Sequence, residues 1–539
     1  MISKQVQTKF RADLFKHLDG IVTAPSAHAL LEKGVTGYIL EKEEVSLQQL
    51  TEKFHANEGY FNVALRVLCS QGWLIQKIDN QQNSISYAIN DHTETAFNHF
   101  YIYKDVVHLL KFSEKYRTRK FEVEPFLVLE KIFNKFKNNY GMVLGEDEIL
   151  NSIQQQILKH IEGIIIGPTS VYLGMSGMFH RYFMQASFKP EEFHNDSDSF
   201  GKLLDFFVHF GWFHKENGTY QFTEKGLYYA QRANAYGVTV SYIPTLRKLD
   251  ELIFGNAKAA KDAGDGNKEG HVDRQMNVWG SGGAHTAYFK VVDEIVIDLF
   301  NKPIEEQPKG ILDMGCGNGA FLQHLFYVIE QQTQRGKILD EHPLILIGVD
   351  YNEAALKITK ANLIQADIWA KIVWGDIGKP DLLAKDLKNN YNIDLNELLN
   401  VRTFLDHNRL WKEPTNINNN RVSKSTGAFA FEGRRINNNL VEDSLLEHFI
   451  NWKPYLKKFG LLVIELHTVD PKIVADSLGQ TAATAYDAIH GYSDQYIVEV
   501  GVFNKIMAEA GLVPDNNIYK KFPNSNLATV TVNLFSLKS

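Results

Sequence analysis

The sequence predicts an α/β protein, with a Rossmann-like domain of parallel strands that follows mostly helical, winged-helix-like domains. Residues 310–319, G-I-L-D-M-G-C-G-N-G, indicate a buried strand, a glycine-rich turn and the start of a helix. Two later apolar runs, at 344–350 and 371–377, also end in or near an acidic residue. In the N-terminal half, helical segments followed by a hairpin pattern occur twice.

Length and composition indicate a protein of several domains that resides in a reducing compartment. The chain has 539 residues, enough for three or four folded units, and 44% of them are hydrophobic. Only Cys69 and Cys316 are present, which excludes a disulfide framework or a zinc cluster. The N-terminus lacks the apolar region of a signal peptide, and no apolar run is long enough to span a bilayer. We therefore expect a cytoplasmic protein with no membrane partner.

The chain divides by pattern into a series of domains. The boundaries expected from the sequence are 1–100 for a winged-helix-like domain, 101–190 for a helical connector, 191–256 for a second winged-helix-like unit, 257–271 for a linker, and 272–539 for the α/β domain with a mobile lid insertion at about 406–440.

The two winged-helix patterns resemble each other in sequence. V-L-C-S-Q-G-W-L-I-Q at 67–76 is similar to F-V-H-F-G-W-F-H-K at 207–215. The first candidate recognition helix, from Glu58 to Cys69, carries a single arginine, and the net charge of the chain is −7. DNA readers need a basic face, so the pattern favours a dimerisation or substrate-enclosing module over nucleic-acid binding. The sequence leaves open whether the protein forms a homodimer.

The glycine-rich turn and the later strand ends predict a cofactor site. The acidic-x-G-x-G-x-G pattern resembles motif I of class I S-adenosylmethionine (SAM) methyltransferases, in which the acid serves the methionine end of SAM. An acid after the second strand of a nucleotide fold binds both ribose hydroxyls, and the resemblance places the acid after the third strand beside the adenine. The cofactor-binding residues expected are Asp313, Gly315, Gly317, Gly319, Asp350, Asp376 and Ile377.

Polar side chains cluster where two further strands are predicted to end. Asp406 and His407 follow the strand at 398–405, and His467 ends the strand at 460–467. The segment 485–496 adds His490 and Gln495. One base near the acceptor is enough for an ordinary O-methyltransferase, whereas histidine, glutamine and carboxylate ligands suit Mn²⁺, Fe²⁺ or Mg²⁺.

Three motifs, R-T-F-L-D-H-N-R, E-L-H and H-G-Y-S-D-Q-Y, resemble the metal-dependent C-methyltransferase domains of apratoxin- and saxitoxin-type polyketide synthase loading modules. This resemblance implies methylation of the α-carbon of a malonyl-type thioester on an acyl carrier protein, in polyketide-type biosynthesis. It also implies that His467 and Gln495 bind the divalent metal. The chain shows no appended decarboxylase-like or carrier domain, which leaves the acyl donor open.

The candidate bases are His407 and His490, with Asp406 either orienting a histidine or lying behind the ligands. Two other hypotheses stay open. One is a metal-free O- or N-methyltransferase with a histidine base, and the other is a SAM-responsive winged-helix regulator without catalysis.

Overall fold

A computed structural model describes residues 2–112, 122–261 and 270–538, and only the backbone at 282–287. The chain divides into two compact units. The first comprises Met1–His285, Ala428–Arg435 and Asp470–Ser493, and the second comprises Thr286–Gly427, Ile436–Val469 and Asp494–Ser539. Most of the predicted linker at 257–271 lies outside the described residues. Within the described chain, no helix is long and apolar enough to cross a membrane.

The described α-helices are, in chain order, α1 (Lys4–Glu32), α2 (Val35–Lys42), α3 (Leu47–Phe54), α4 (Glu58–Ser70), α5 (Thr93–His99), α6 (Tyr103–Leu110), α7 (Val123–Lys137), α8 (Glu148–Met175), α9 (Arg181–Gln185), α10 (Ser197–His209), α11 (Glu224–Ala230), α12 (Asn234–Ser241), α13 (Ile243–Leu246), α14 (Leu249–Phe254), α15 (Ala257–Lys261), α16 (Arg274–Phe300), α17 (Ala320–Gln332), α18 (Glu353–Gln365), α19 (Pro380–Tyr391), α20 (Asn438–Trp452), α21 (Pro471–Ala475), α22 (Ala483–Tyr492) and α23 (Val500–Glu509).

The described strands are β1 (Glu44–Ser46), β2 (Ile75–Asp79), β3 (Ser84–Ala88), β4 (Phe213–Glu216), β5 (Thr219–Phe222), β6 (Gly310–Met314), β7 (Ile345–Asp350), β8 (Lys371–Trp374), β9 (Leu398–Thr403), β10 (Ala430–Phe431), β11 (Arg434–Arg435), β12 (Leu461–Leu466), β13 (Leu512–Pro514), β14 (Lys520–Phe522) and β15 (Val530–Leu537).

The first unit is mostly helical and centres on the long helices α1 and α8. These two helices approach closely where Gly20 faces His160 and Gly163 faces His17, because a side chain at either glycine would meet the backbone of the other helix. Both helices are buried over much of their length, with His17 and His160 lying among apolar residues at this contact.

Two winged-helix motifs lie in the first unit, as the sequence predicts. In one, α3 and α4 precede the hairpin β2–β3, and β1 pairs with β3. Ser46 caps α3 in a capping box with Gln49, and Val45 just before it lies in β1. In the other motif, α10 precedes the hairpin β4–β5. The predicted helical and winged-helix character of the N-terminal half is confirmed.

The second unit contains a mixed sheet in the order β13-β15-β12-β9-β6-β7-β8, with β14 also paired to β15. The strands β12, β9, β6, β7 and β8 run parallel, and β15 is antiparallel to β12. Every residue of β6 and β12 is buried. The predicted α/β fold is confirmed, and the carboxyl ends of the parallel strands meet at one edge of the sheet.

The helix that follows the segment predicted as a lid, α20, runs from Asn438 to Trp452. Its start is fixed by the side chain of Asn437, which accepts a hydrogen bond from the backbone of Asn439. The helix ends before Pro454, which lies in a short 3-10 turn.

The segment predicted as a lid is anchored within the second unit over 411–427. The buried Arg421 guanidinium donates to Asp443 at 2.5 Å, Glu442 at 3.0 Å and Glu509 at 2.8 Å. These three ion pairs connect an otherwise irregular segment to α20 and α23.

Candidate active site

The glycine-rich turn after β6 has a backbone that favours glycine. Gly315, Gly317 and Gly319 have φ angles of +80°, +56° and +80°, in the left-handed region that side chains disfavour. The N–H groups of Gly315 and Cys316 both donate to the carbonyl of Val349, at 2.7 and 3.0 Å. The turn is therefore fixed against the end of β7.

The three glycines differ in their surroundings. A Cβ at Gly315 would lie 2.9 Å from the Leu405 side chain, and one at Gly319 would lie 2.9 Å from Thr359. A Cβ at Gly317 would meet nothing within 4 Å. Gly317 is thus the point of the turn where a ligand has room to approach the backbone.

Asp350, at the end of β7, is held by the turn itself. One carboxylate oxygen accepts from the Gly317 N–H at 3.0 Å, and the other accepts from the Asn352 N–H at 2.8 Å. A carboxylate has about four acceptor positions, so both oxygens can still accept from hydroxyl groups.

Asp313 on β6 is a buried carboxyl with one oxygen, Oδ2, that has no hydrogen-bond partner. Burial, with a smaller contribution from the charge of Asp350, raises its pKa to about 7. An unpaired buried carboxyl of this kind is suited to a cationic amino group, such as the one at the methionine end of SAM.

The residues after β8 are fixed by local hydrogen bonds. Asp376 accepts from the Gly378 N–H at 2.9 Å and pairs with Lys379 at 3.3 Å. The Ile377 carbonyl accepts from the indole N–H of Trp452 at 2.7 Å. The structure therefore places Asp376 and Ile377 beyond β8, next to the carboxyl end of β7.

His407, which follows β9, and Glu465, near the end of the neighbouring strand β12, form a buried pair. Nδ1 of His407 lies 2.5 Å from Oε1 of Glu465, and that oxygen also accepts from the Leu466 N–H at 2.7 Å. The second oxygen of Glu465 is buried without a partner. A carboxylate in this position fixes the imidazole ring and its tautomer, with the proton on Nδ1.

The chain bends sharply between β9 and His407. Phe404 has a φ of +54°, and its N–H donates to the carbonyl of Ile464 at 2.7 Å. A non-glycine residue in the left-handed region is strained, and such strain is frequent at functional sites. The bend turns 405–407 across the end of β12.

Asp406 belongs to a separate buried cluster with Arg402 and His448. Its Oδ1 lies 2.5 Å from Arg402 Nη1 and 2.8 Å from His448 Nε2. Burial would raise the pKa of Asp406, but Arg402 and His448 outweigh that effect and lower it to about 2. Burial lowers the pKa of His448 to about 4, so its neutral ring donates to the carboxylate. Asp406 is thus a fixed anion that positions the segment before His407, and the structure pairs it with these two residues.

His467, one of the two predicted metal ligands, has no ring nitrogen available to coordinate a metal ion. Nδ1 of its buried ring lies 3.1 Å from the carbonyl of Val498, and Nε2 lies 2.7 Å from the hydroxyl of Thr531. Burial lowers the pKa of His467 to about 3, so the ring is neutral and both nitrogens are engaged. A metal at Nε2 would have to displace Thr531. Among the described residues, no group of three or more His, Cys, Asp or Glu side chains could hold a metal ion. The surroundings of His467, as folded, therefore do not fit a bound divalent metal ion.

Three family profiles match the chain. Residues 269–533 match the profile described as "AprA MT2-like domain", residues 162–256 match "AprA winged helix domain", and residues 10–76 match "AprA N-terminal domain". Together these matches cover most of the chain, in the order in which the structure places the domains. The chain belongs to the AprA-like family of SAM-dependent methyltransferases.

Likenesses of the AprA-like methyltransferase to solved structures are distant. An O-methyltransferase family protein from Burkholderia thailandensis has 11% identity and a TM-score of 0.38, over 68% of this chain and 94% of that one. The CurJ carbon methyltransferase has 12% sequence identity and a TM-score of 0.34, over 77% of this chain and 99% of that one. CalO1, a methyltransferase of calicheamicin biosynthesis, has 13% sequence identity and a TM-score of 0.38, over 73% of this chain and 100% of that one. Overlays of this size carry no argument about mechanism. No curated protein matches the sequence.

His490 of the AprA-like methyltransferase lies on α22, which belongs to the first unit. Its Nδ1 lies 2.7 Å from the carbonyl of Tyr486, one turn earlier on the same helix. Gln495 follows the segment Asp470–Ser493 of the first unit, belongs to the second unit, and is buried. The roles of His490 as a base and of Gln495 as a ligand stay predictions.

Sequence reasoning missed Glu465, Arg402 and His448. Glu465 stands in the E-L-H motif, and its presence near the end of an apolar strand could have indicated a buried ion pair, since a charged residue there is seldom buried without a partner. Arg402 carried the same signal within R-T-F-L-D-H. His448 carried none, because a histidine on a helix shows nothing in sequence of the strand end that it contacts.

Proposed function

We propose that this SAM-dependent methyltransferase methylates the α-carbon of a malonyl-type acyl thioester on a carrier protein, in polyketide-type biosynthesis, with His407 as the base. The observation that carries this is the buried His407–Glu465 pair. β6, β9 and β12 are adjacent parallel strands, so this pair and the glycine-rich turn stand at the same edge of the sheet. A SAM site and a carboxylate-oriented histidine are what proton abstraction followed by methyl transfer requires.

The cofactor is held by the residues at the ends of β6, β7 and β8. Asp313 pairs through its unpartnered oxygen with the ammonium group of SAM, and Asp350 accepts from the ribose hydroxyls. Gly317 allows the cofactor to approach the backbone. Asp376 and Ile377 lie beside the adenine.

The reaction begins with proton transfer from the α-carbon to His407. Glu465 keeps the proton of the neutral ring on Nδ1, so the base is Nε2, and its carboxylate stabilises the imidazolium that forms. The enolate carbon then attacks the methyl carbon of SAM. A carbon–carbon bond forms, the carbon–sulfur bond breaks, and the sulfur leaves with the electron pair as neutral S-adenosylhomocysteine (SAH).

Metal assistance by Mn²⁺, Fe²⁺ or Mg²⁺ at His467 and Gln495 is a separate expectation from the family resemblance, and no step above depends on it. Turnover measured after thorough chelation tests it. Lost turnover that one added ion restores would support metal assistance, and full turnover after chelation would support the histidine base alone.

A metal-free O- or N-methyltransferase is the second candidate. The same His407–Glu465 pair favours it, since removing a proton from a hydroxyl or amine group needs only one oriented base. A carrier partner would then not be required.

Incubation with SAM and malonyl-loaded carrier protein, followed by intact mass measurement, tests the proposed function. We expect one or more methyl additions with the wild type and loss of most turnover with His407→Ala. His214→Ala, on the exposed hairpin β4–β5, is the matched control and should behave as the wild type. No addition on the loaded carrier, together with methylation of a small hydroxyl acceptor, would overturn C-methylation in favour of the second candidate.

A further inference from the structure

Beside His407 lies a buried cation that has no acidic partner. The Arg409 side chain is 5% exposed, and no described carboxylate lies within ion-pair distance of it. Its Nη1 donates to the carbonyl of Asp406 at 2.9 Å and Nη2 donates to the carbonyl of Val441 at 3.5 Å, while Nε has no partner. Burial lowers its pKa to about 10, although the more distant charges of Asp406 and Glu465 act in the opposite direction, so the guanidinium stays charged at neutral pH.

The neighbouring aromatic residue also carries an unused polar group. The Arg409 guanidinium lies 5.6 Å from the ring centre of Tyr496, and the Tyr496 hydroxyl is buried without a hydrogen-bond partner. The backbone N–H of Tyr496 donates to the carbonyl of His407 at 2.8 Å, which connects this pair to the base. Trp411 packs against the same ring at 5.4 Å.

Other buried charges of the segment are compensated locally. Arg402 is paired with Asp406, and Glu465 with His407. A buried arginine normally keeps a carboxylate partner, because an unpaired charge and an unsatisfied hydroxyl are both costly inside a protein. Two such groups side by side, next to a base, are expected where an anionic group of a substrate completes the site.

We propose that Arg409 and Tyr496 form a subsite for the free carboxylate of the acyl group, which selects malonyl-type over neutral acyl substrates. This rests on the proposed function for the identity of the substrate. Arg409 Nε–H and the Tyr496 hydroxyl donate to the carboxylate, and the guanidinium charge balances it. The α-carbon next to that carboxylate is then held near His407.

Binding of free malonate to the SAH complex, measured by calorimetry, tests the subsite without turnover. We expect the wild type to bind malonate and to bind its neutral analogue malonamide at least roughly tenfold more weakly, since hydrogen bonds to charged groups are the stronger kind. Arg409→Gln should weaken malonate binding roughly ten- to hundredfold and leave SAH affinity unchanged.

Tyr496→Phe is the second variant, because it removes only an unpartnered hydroxyl and should fold at least as well as the wild type. It should weaken malonate binding roughly two- to tenfold. Arg335→Gln is the matched control, since Arg335 is also buried and donates to two backbone carbonyls, but lies before β7 at the opposite edge of the sheet. It should bind malonate as the wild type does.

Three outcomes would overturn the subsite: no malonate binding by the wild type, equal malonate affinity in Tyr496→Phe and the wild type, or stronger binding of inorganic phosphate than of malonate. Malonate binding that depends on Arg409 and Tyr496, in a protein that fails to methylate the loaded carrier, would refute the proposed reaction while supporting the subsite.

Discussion

Replacing Glu465 by glutamine is expected to slow methyl transfer without weakening SAM binding. The contact between His407 Nδ1 and Glu465 Oε1, at 2.5 Å, is buried on both sides. The carboxylate stabilises the imidazolium that forms when His407 accepts a proton, and glutamine cannot supply that charge. A hydrogen bond to a charged group contributes about 1.5–3 kcal/mol. Because each ~1.4 kcal/mol is tenfold in rate, kcat should fall roughly 10- to 150-fold.

The assay is single-turnover methyl transfer to malonyl-loaded carrier protein at saturating SAM, with SAM affinity measured separately. Glu397→Gln serves as control, since Glu397 pairs with Lys458 at the amino end of β9, away from the base. It should keep wild-type turnover. If Glu465→Gln keeps kcat within about twofold of the wild type while SAM affinity is unchanged, the pair does not act as the base.

SAM affinity measured by calorimetry should fall by up to about tenfold per unit as pH drops below 7, because Asp313, whose pKa is about 7, must lose its proton to pair with the ammonium group. Asp313→Asn should bind more weakly and lose that dependence, and a pH-independent wild type would contradict the assignment. Gly315→Ala should lower the unfolding free energy by about 1–2 kcal/mol in chemical denaturation, since φ is +80° and Leu405 is 2.9 Å from the added Cβ; Gly501→Ala, with open space around it, should not. Arg421→Met should speed hydrogen exchange across 411–427 because it breaks three ion pairs, and unchanged exchange would show that the segment is held by other contacts.

The sheet could be predicted well from sequence because most of its parallel strands are short apolar runs with a glycine or a charged or polar residue at or just beyond the end. Buried parallel strands can be recognised directly from such runs, and β7 and β9 begin and end within two residues of the expected positions. The Ser46 cap of α3 is a similarly local feature, since a capping box depends only on residues three apart. The predicted lid extends to about 440, whereas α20 already begins at Asn438, because the Asn437 side chain caps the helix there.

The site could be predicted only in part. Sequence places His407 at a strand end, but its partner Glu465 is 58 residues away, and only the parallel pairing of β9 with β12 brings them together. The same limit applies to His467. The family resemblance predicts that His467 binds a metal, and the structure places its ring between the Val498 carbonyl and the Thr531 hydroxyl, contacts that no spacing rule in the sequence shows.

The late return of the chain to the first unit sets the order in which the protein can mature. The buried Arg66 of α4 pairs with Asp487 of α22 at 3.0 Å, and the two residues are 421 positions apart. At about 5–20 residues per second of synthesis, Arg66 waits roughly 20 to 80 seconds for its counter-ion. During that time the surface of α4 that α21 and α22 later cover stays exposed. An isolated N-terminal fragment would lack Asp487 and keep this apolar surface open, so the first unit completes its core only after α22 has been synthesised.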